Sequence, residues 1–549
     1  MVCRRPSTSR LPRTAGLLGL TLLLSLLLSL ALASSPRPQF VIVHLDAVAA
    51  VDLDRLMAEG RLPNLARIFA DGLAFDAVTT FLPATPVIYS RLHDRADDFP
   101  LRGIGFGGLD RDSDRIVARP EIVMRLLATF PRRAVTATLH GATDLDAFAG
   151  LAMLNLPDLL QRYGTVELFW FSSDLAGHLF GIEGHEASLR RFDAHFGRAL
   201  ERLDLETVNV VLYTDHGMTL STETFDVDAL VAARLGEELR YFSYPNVYLH
   251  DAARAAELAQ RVIEDEGLDF AFYRAGDAVV EGYLDGGALR FEQQGDTIRY
   301  LAEGDPLGYA AWGYEGEWLT RDEWVALTVR AHYPATPVVI VDYLEERHAG
   351  DLVVGINPPR NPHHNPYVSF STGSHWGLIQ TDLAVKVLAR GPDVEPLREQ
   401  GLGRLQDLHA RLPALTFGRQ PERELHQIEL RWHFDEAQPS TRVRLSPTYR
   451  ARLGLDLTPD RGAAWAEYDV FSTYLMRWWL GAGATLDADG VQPMARVEVV
   501  FDVAETRLRF EASVRPDGWQ LGVGASYRVA PGFRLALDAP LGVGASYEW

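Results

Sequence analysis

The sequence predicts two fold classes in one chain, an α/β domain on a mostly parallel sheet followed by an antiparallel all-β domain. Two observations carry this. Short apolar runs that end in an acid or a histidine recur through the long first part, and from Val443 onward apolar and charged residues alternate with period two. With 549 residues, 47% of them hydrophobic, the chain can build more than one core. A net charge of −21 argues against a nucleic-acid partner.

Residues 1–33 hold Arg4, Arg5, Arg10 and Arg13, an apolar stretch from Ala15 to Leu30, and Ala31-Leu32-Ala33. This is the pattern of a secretory signal peptide, with an uncleaved membrane anchor as the alternative. Cys3 is the sole cysteine, so cleavage after Ala33 leaves no disulfide.

Residues 34–420 form the α/β part. Phe40-Val41-Ile42-Val43-His44-Leu45 reads as a buried parallel strand with Asp46 at its end. Leu168 to Phe171 repeats the pattern ahead of Asp174 and His178, and Val208 to Tyr213 ahead of Asp215 and His216. In open α/β sheets ligands bind beyond the carboxyl ends of strands, where these groups are expected. Ala84-Thr85-Pro86 before Val87-Ile88-Tyr89 predicts Thr85 as a helix N-cap, its hydroxyl at the positive end of the helix dipole. With Gly373-Ser374-His375, the set offers three aspartates, three histidines and one hydroxyl, the mixture that two neighbouring divalent cations and an oxygen nucleophile require.

In this order the motifs resemble the alkaline phosphatase superfamily, in particular its type I phosphodiesterase and nucleotide pyrophosphatase branch, over roughly Gln39 to Pro392. The resemblance implies an alkaline-phosphatase-like central sheet flanked by helices. It assigns Asp46, Thr85, Asp215 and His216 to one metal and Asp174, His178 and His375 to the other, both usually zinc. It implies a small phosphoester substrate, with Thr85 attacking phosphorus to give a phospho-threonine intermediate. The sequence departs from the branch at Ala47, where a glycine is common, and directly after Thr85, where Pro86, Val87 and Ile88 stand in place of an aromatic residue, Pro and Asn. Lys386 is the only lysine, and Arg102, Arg111 or Arg115 could grip phosphate instead. A diester is favoured over a monoester. A phosphomonoesterase or a sulfatase is the alternative on the same fold, although Thr85 cannot become a sulfatase aldehyde. An outer-membrane structural protein with an inactive hydrolase-like domain is the alternative of another class.

Between His216 and His375 lies an insert, about residues 221–361, with a helical stretch from Ala252 to Glu266 and then short strands turning at Asp285-Gly286-Gly287 and Gly295-Asp296. It reads as an αβ cap. His363 and His364 read as surface or supporting residues.

Residues 421–549 read as about eight antiparallel strands, with turns at 435–440, 458–462, 489–490, 516–518 and 530–532. An even-stranded outer-membrane barrel is favoured over a water-soluble β-sandwich, with arginines pairing acids inside. Pro447 and Pro540 are awkward within the alternation. Trp549 resembles a barrel-assembly signal. The expected location is an exported, periplasmic catalytic domain anchored in the outer membrane. The leaving group stays open among nucleotides, lipid headgroups and phosphonate esters.

Overall fold

In the computed structural model the described residues are 38–92, 107–117, 146–264, 267–362, 372–414, 426–434, 437–448, 451–472, 475–516, 518–530, 532–539 and 542–548. Residues 1–33, Arg102, His363, His364 and Pro540 lie outside them.

The α/β part is built on five strands: β1 (Gln39–Leu45), β2 (Leu73–Val78), β3 (Thr165–Trp170), β4 (Val208–Thr214) and β5 (Ala384–Arg390), in the order β2-β5-β4-β1-β3. β1 runs parallel to β3 and β4, and β5 runs antiparallel to both of its neighbours. Each apolar run became a strand because both of its faces are covered. Val41, Val43, Leu168, Val210 and Leu212 bury into one layer, while Phe40, Ile42, Val211 and Val387 bury into the other. The helices of this part include α1 (Thr85–Leu92), α2 (Asp146–Met153), α3 (Leu156–Tyr163) and α4 (Ser172–Leu200). Gly181 interrupts α4 with φ 65° and ψ −161°, so the helix bends just past His178.

The insert forms an eight-stranded antiparallel sheet with its own core around Phe270, Phe272, Phe291 and Trp324. Its helix is shorter than expected, Ala255–Ile263, because Ala252–Arg254 form a tighter 3₁₀ turn first. Both expected turns are present, with Asp285, Gly286 and Gly295 all at positive φ.

The C-terminal part closes into a barrel of ten strands: β6 (Gln427–His433), β7 (Gln438–Thr448), β8 (Ala451–Leu457), β9 (Gly462–Ser472), β10 (Met476–Asp487), β11 (Gly490–Val503), β12 (Thr506–Arg515), β13 (Gly518–Ala530), β14 (Phe533–Ala539) and β15 (Gly542–Glu548). β6 pairs with β15, which joins the two ends of the sheet. The count exceeds the expected eight but stays even. Pro447 fits because β7 slips register between Leu445 and Thr448, where a ladder donor is not required.

Side chains alternate across this wall. Leu430, Trp432, Leu453, Leu480, Leu521 and Leu537 face outward and are exposed. Glu429, Arg442, Arg444, Glu467, Arg496 and Glu498 face inward and are buried. A water-soluble sandwich would have its apolar faces packed together; this barrel has them outside. The interior charges interlock: Arg496 reaches Glu467 at 2.7 Å, Glu498 at 2.8 Å and also Glu511, while Arg444 and Arg452 each reach Glu498 at 2.8 Å. No helix among the described residues is long and apolar enough to cross a membrane.

Candidate metal centre

Three parallel neighbours bring their carboxyl ends to one edge of the sheet. β1 delivers Asp46, β3 leads into α4 with Asp174 and His178 one turn apart, and β4 delivers Asp215 and His216. α1 supplies Thr85 at its start, and the loop after Gly373 brings in His375. All seven residues expected to form the site meet here.

Thr85 Oγ1 lies 3.2 Å from Asp46 Oδ1 and 3.3 Å from His216 Nε2. His216 Nε2 is 3.4 Å from Asp46 Oδ1 and 3.6 Å from Asp215 Oδ2. Beside them, Asp174 Oδ1 lies 3.2 Å from His178 Nε2 and 3.4 Å from His375 Nε2. The two groups touch through the stacked rings of His216 and His375, 4.0 Å apart. Thr85 is not the N-cap. The Ala84 carbonyl accepts from Val87 and Ile88, so Thr85 is the first helical residue and its hydroxyl is free to face the aspartates.

The histidines fix how the site can be filled. His178 Nδ1 donates to the Gly373 carbonyl at 2.8 Å, His216 Nδ1 to Gly217 at 2.9 Å and His375 Nδ1 to Pro83 at 2.7 Å. A carbonyl only accepts, so each Nδ1 carries the proton and each Nε2 turns a lone pair inward. His178 and His375 thereby point two lone pairs at each other across 3.1 Å. Asp46 Oδ2, Asp174 Oδ1 and Asp215 Oδ2 are buried without a hydrogen-bond partner. Such an arrangement is unfavourable on its own and fits divalent cations, for which carboxylate oxygens and neutral imidazoles are the normal donors.

The electrostatics agree. Burial raises the Asp46 carboxyl well above the usual range, and the negative charges of Asp215 and Asp174 raise it further. Burial would raise Asp215 as well, but His216 and His44 outweigh it and bring the carboxyl down to about 2. Burial lowers His216 to about 4, which keeps its imidazole neutral.

Glycines permit the close packing. A Cβ on Gly177 would meet Met218 Cε at 2.8 Å, and one on Gly373 would meet Met218 Sδ at 2.5 Å. The histidine-bearing helix and loop can therefore close on Met218 from both sides.

Sequence reasoning missed three supporting residues. His44 is stacked between Phe169 and Tyr213, with Nε2 3.1 Å from Asp215 Oδ2. Its place two residues before Asp46, on the same strand face, was the available signal. His185 Nε2 donates to the Ala47 carbonyl at 2.8 Å and holds the positive-φ residue after Asp46. Asp382 accepts from Thr219 Oγ1 and from the Gly377 N–H, both at 2.8 Å, and so braces the His375 loop. Two cationic side chains that could grip phosphate are engaged elsewhere. Lys386 pairs with Asp54 and Asp76, each at 2.7 Å, and Arg111 pairs with Asp351 at 2.9 Å.

Burial raises the Asp382 carboxyl to about 6. Its proton is held more tightly in the folded state than in the unfolded one. It therefore supports the fold below the unfolded value near 4, and that support is lost as pH rises through 6. Relative to Asp382→Asn, the metal-free wild type is expected to lose about 2–3 kcal/mol between pH 4 and pH 7, read from denaturant titrations of the hydrolase part. A pH-independent difference would contradict this.

Residues 113–281 match the family model described as type I phosphodiesterase / nucleotide pyrophosphatase, which bears out the resemblance carried by the motifs. The match spans Asp174, His178, Asp215 and His216. No curated protein matches the chain. Among solved structures, murine ectonucleotide pyrophosphatase / phosphodiesterase 5 is 12% identical, with a TM-score of 0.39, over 70% of this chain and 96% of that one. Phosphonoacetate hydrolase from Sinorhizobium meliloti 1021, in complex with phosphonoacetate, is 15% identical, with a TM-score of 0.41, over 69% of this chain and 95% of that one.

Proposed function

We propose that this chain is a phosphodiesterase that works through Thr85 and two divalent cations and is held in an outer membrane by its barrel. The observation that carries the reading is the trio of imidazoles locked with Nε2 inward, among three acids, around a threonine hydroxyl. Asp46, Thr85, Asp215 and His216 would hold one cation, and Asp174, His178 and His375 the other. Zinc suits this mixed donor set, and the cations would supply charge stabilisation for the phosphoryl oxygens.

The chain's own groups do the rest. Thr85 Oγ1 donates to Asp46 Oδ1, so this carboxylate takes the hydroxyl proton as Oγ1 attacks phosphorus, while His216 Nε2, 3.3 Å away, would be engaged by the cation. The bond from phosphorus to the leaving oxygen breaks as the bond to Oγ1 forms. Water then cleaves the phospho-threonine, releasing the monoester and restoring the hydroxyl. The start of α1 faces the phosphoryl group with the positive end of its dipole. A diester carries one negative charge fewer than a monoester, which suits a site whose Lys386 and Arg111 are already paired.

The barrel's outward apolar wall and inward charged lattice support the membrane reading, with the hydrolase domain on the periplasmic side. The full chain with zinc is expected to turn over bis-p-nitrophenyl phosphate faster than p-nitrophenyl phosphate, and p-nitrophenyl sulfate not at all. Preferred turnover of the monoester or the sulfate would overturn the diester reading.

A further inference from the structure

The hydrolase domain meets the barrel through one edge. Asn155, just before α3, donates through Nδ2 to the Asp502 carbonyl at 2.5 Å and accepts through Oδ1 from the Ala504 N–H at 2.7 Å. It therefore grips the turn between β11 and β12 from both sides. Asp158, in the first turn of α3, pairs with Arg528 and, at 3.2 Å, with Arg534. Arg202, past the end of α4, pairs with Glu505. Leu475, between β9 and β10, packs on the same layer as Leu203 and Leu205. These are separate points on one rim, so the domain has little freedom to swivel.

That edge lies opposite the metal centre. α4 starts at the site with Asp174 and ends at Leu200, ahead of the first residue of β4, so Arg202 sits at the amino ends of the strands. From the bend at Gly181 to Leu200 the helix spans roughly 28 Å. β1, seven residues long, spans roughly 23 Å from the same edge to Asp46.

We propose that the docked barrel holds the metal centre facing away from the bilayer, on the order of 25 Å beyond the barrel rim. The enzyme then acts on phosphoesters dissolved in the aqueous compartment, and not on headgroups of the membrane that holds it. This rests on the phosphodiesterase reading for its chemistry, on the membrane-barrel reading for the bilayer and on the docking contacts for its direction. A headgroup phosphate lies just outside the edge of the apolar belt, close to the barrel rim, and a rigidly docked domain cannot bend its site down to it.

The test uses the full chain in vesicles of phosphatidylethanolamine and phosphatidylglycerol. A donor dye is placed on Phe180→Cys, an exposed position two residues past His178, and acceptors on the headgroups. Energy transfer is expected to be several-fold weaker than for the same donor carried on a lipid headgroup, and to rise in the Asn155→Ala, Asp158→Ala double variant. Transfer equal to that of the headgroup donor would overturn the orientation. In the same vesicles, bis-p-nitrophenyl phosphate is expected to be cleaved at its detergent rate with no loss of phosphatidylethanolamine headgroup; headgroup release from the protein's own vesicle would overturn the proposal. Weak transfer from chain that co-floats with the vesicles, without diester cleavage, would count against the catalytic reading and leave the orientation standing; chain that does not co-float would overturn the membrane reading and the orientation with it.

Discussion

Thr85→Ala is expected to lower turnover by about 10³–10⁴-fold or more, with the fold retained. The hydroxyl lies between Asp46 and His216 at hydrogen-bond distance from both, and the nearby candidates cannot replace it. Thr79 and Thr80 are buried against a small separate cavity lined by Arg91 and Arg404. Because Ala84 and not Thr85 caps the helix, removing the hydroxyl should cost the fold little, and circular dichroism should be unchanged. Thr85→Ser keeps the oxygen and should recover most of the lost rate. A Thr85→Ala enzyme retaining a tenth of wild-type turnover would rule Thr85 out as the nucleophile.

The largest stability effect should come from the barrel interior. Arg496 is buried and bonds Glu467, Glu498 and Glu511 at once, with its guanidinium 4.6 Å from the Trp465 ring centroid. Arg496→Ala leaves three buried acids each short of one partner. Removing one member of such a buried group costs about 3–5 kcal/mol. The expected result is a large drop in the denaturant midpoint of the barrel in detergent, whereas substituting Arg398, exposed on the hydrolase domain, should leave that midpoint unmoved. Replacing Arg496 and Glu467 together by apolar residues of similar size should cost less than the single change, because Arg452 keeps Glu498 and Glu511 keeps Arg442. Equal midpoints for wild type and Arg496→Ala would show that the lattice does not hold the barrel together.

The site was legible because its signals are local. An apolar run followed by an acid marks the end of a parallel strand, and parallel neighbours place such ends side by side without further information. What stayed hidden depends on contacts between distant segments. His44 is distinguished only by its neighbour Asp215 on β4, and Asp382 only by the Thr219 and Gly377 groups it binds. The one-residue shift of the helix start at Thr85 turns on which carbonyl accepts first, which composition does not encode. The strand count fell short because the alternation from Val443 to Leu457 reads as one long run, whereas it covers two paired strands, β7 and β8. The period-two alternation, by contrast, survives closure into a barrel and revealed which residues share a face.

The most direct measurement is the zinc content of the purified full chain after equilibrium dialysis, beside Asp46→Ala and His375→Ala. A two-cation centre predicts two zinc ions per wild-type chain and one in each variant, with diester turnover lost in both. A wild type that binds one ion or none and still cleaves the diester would contradict it.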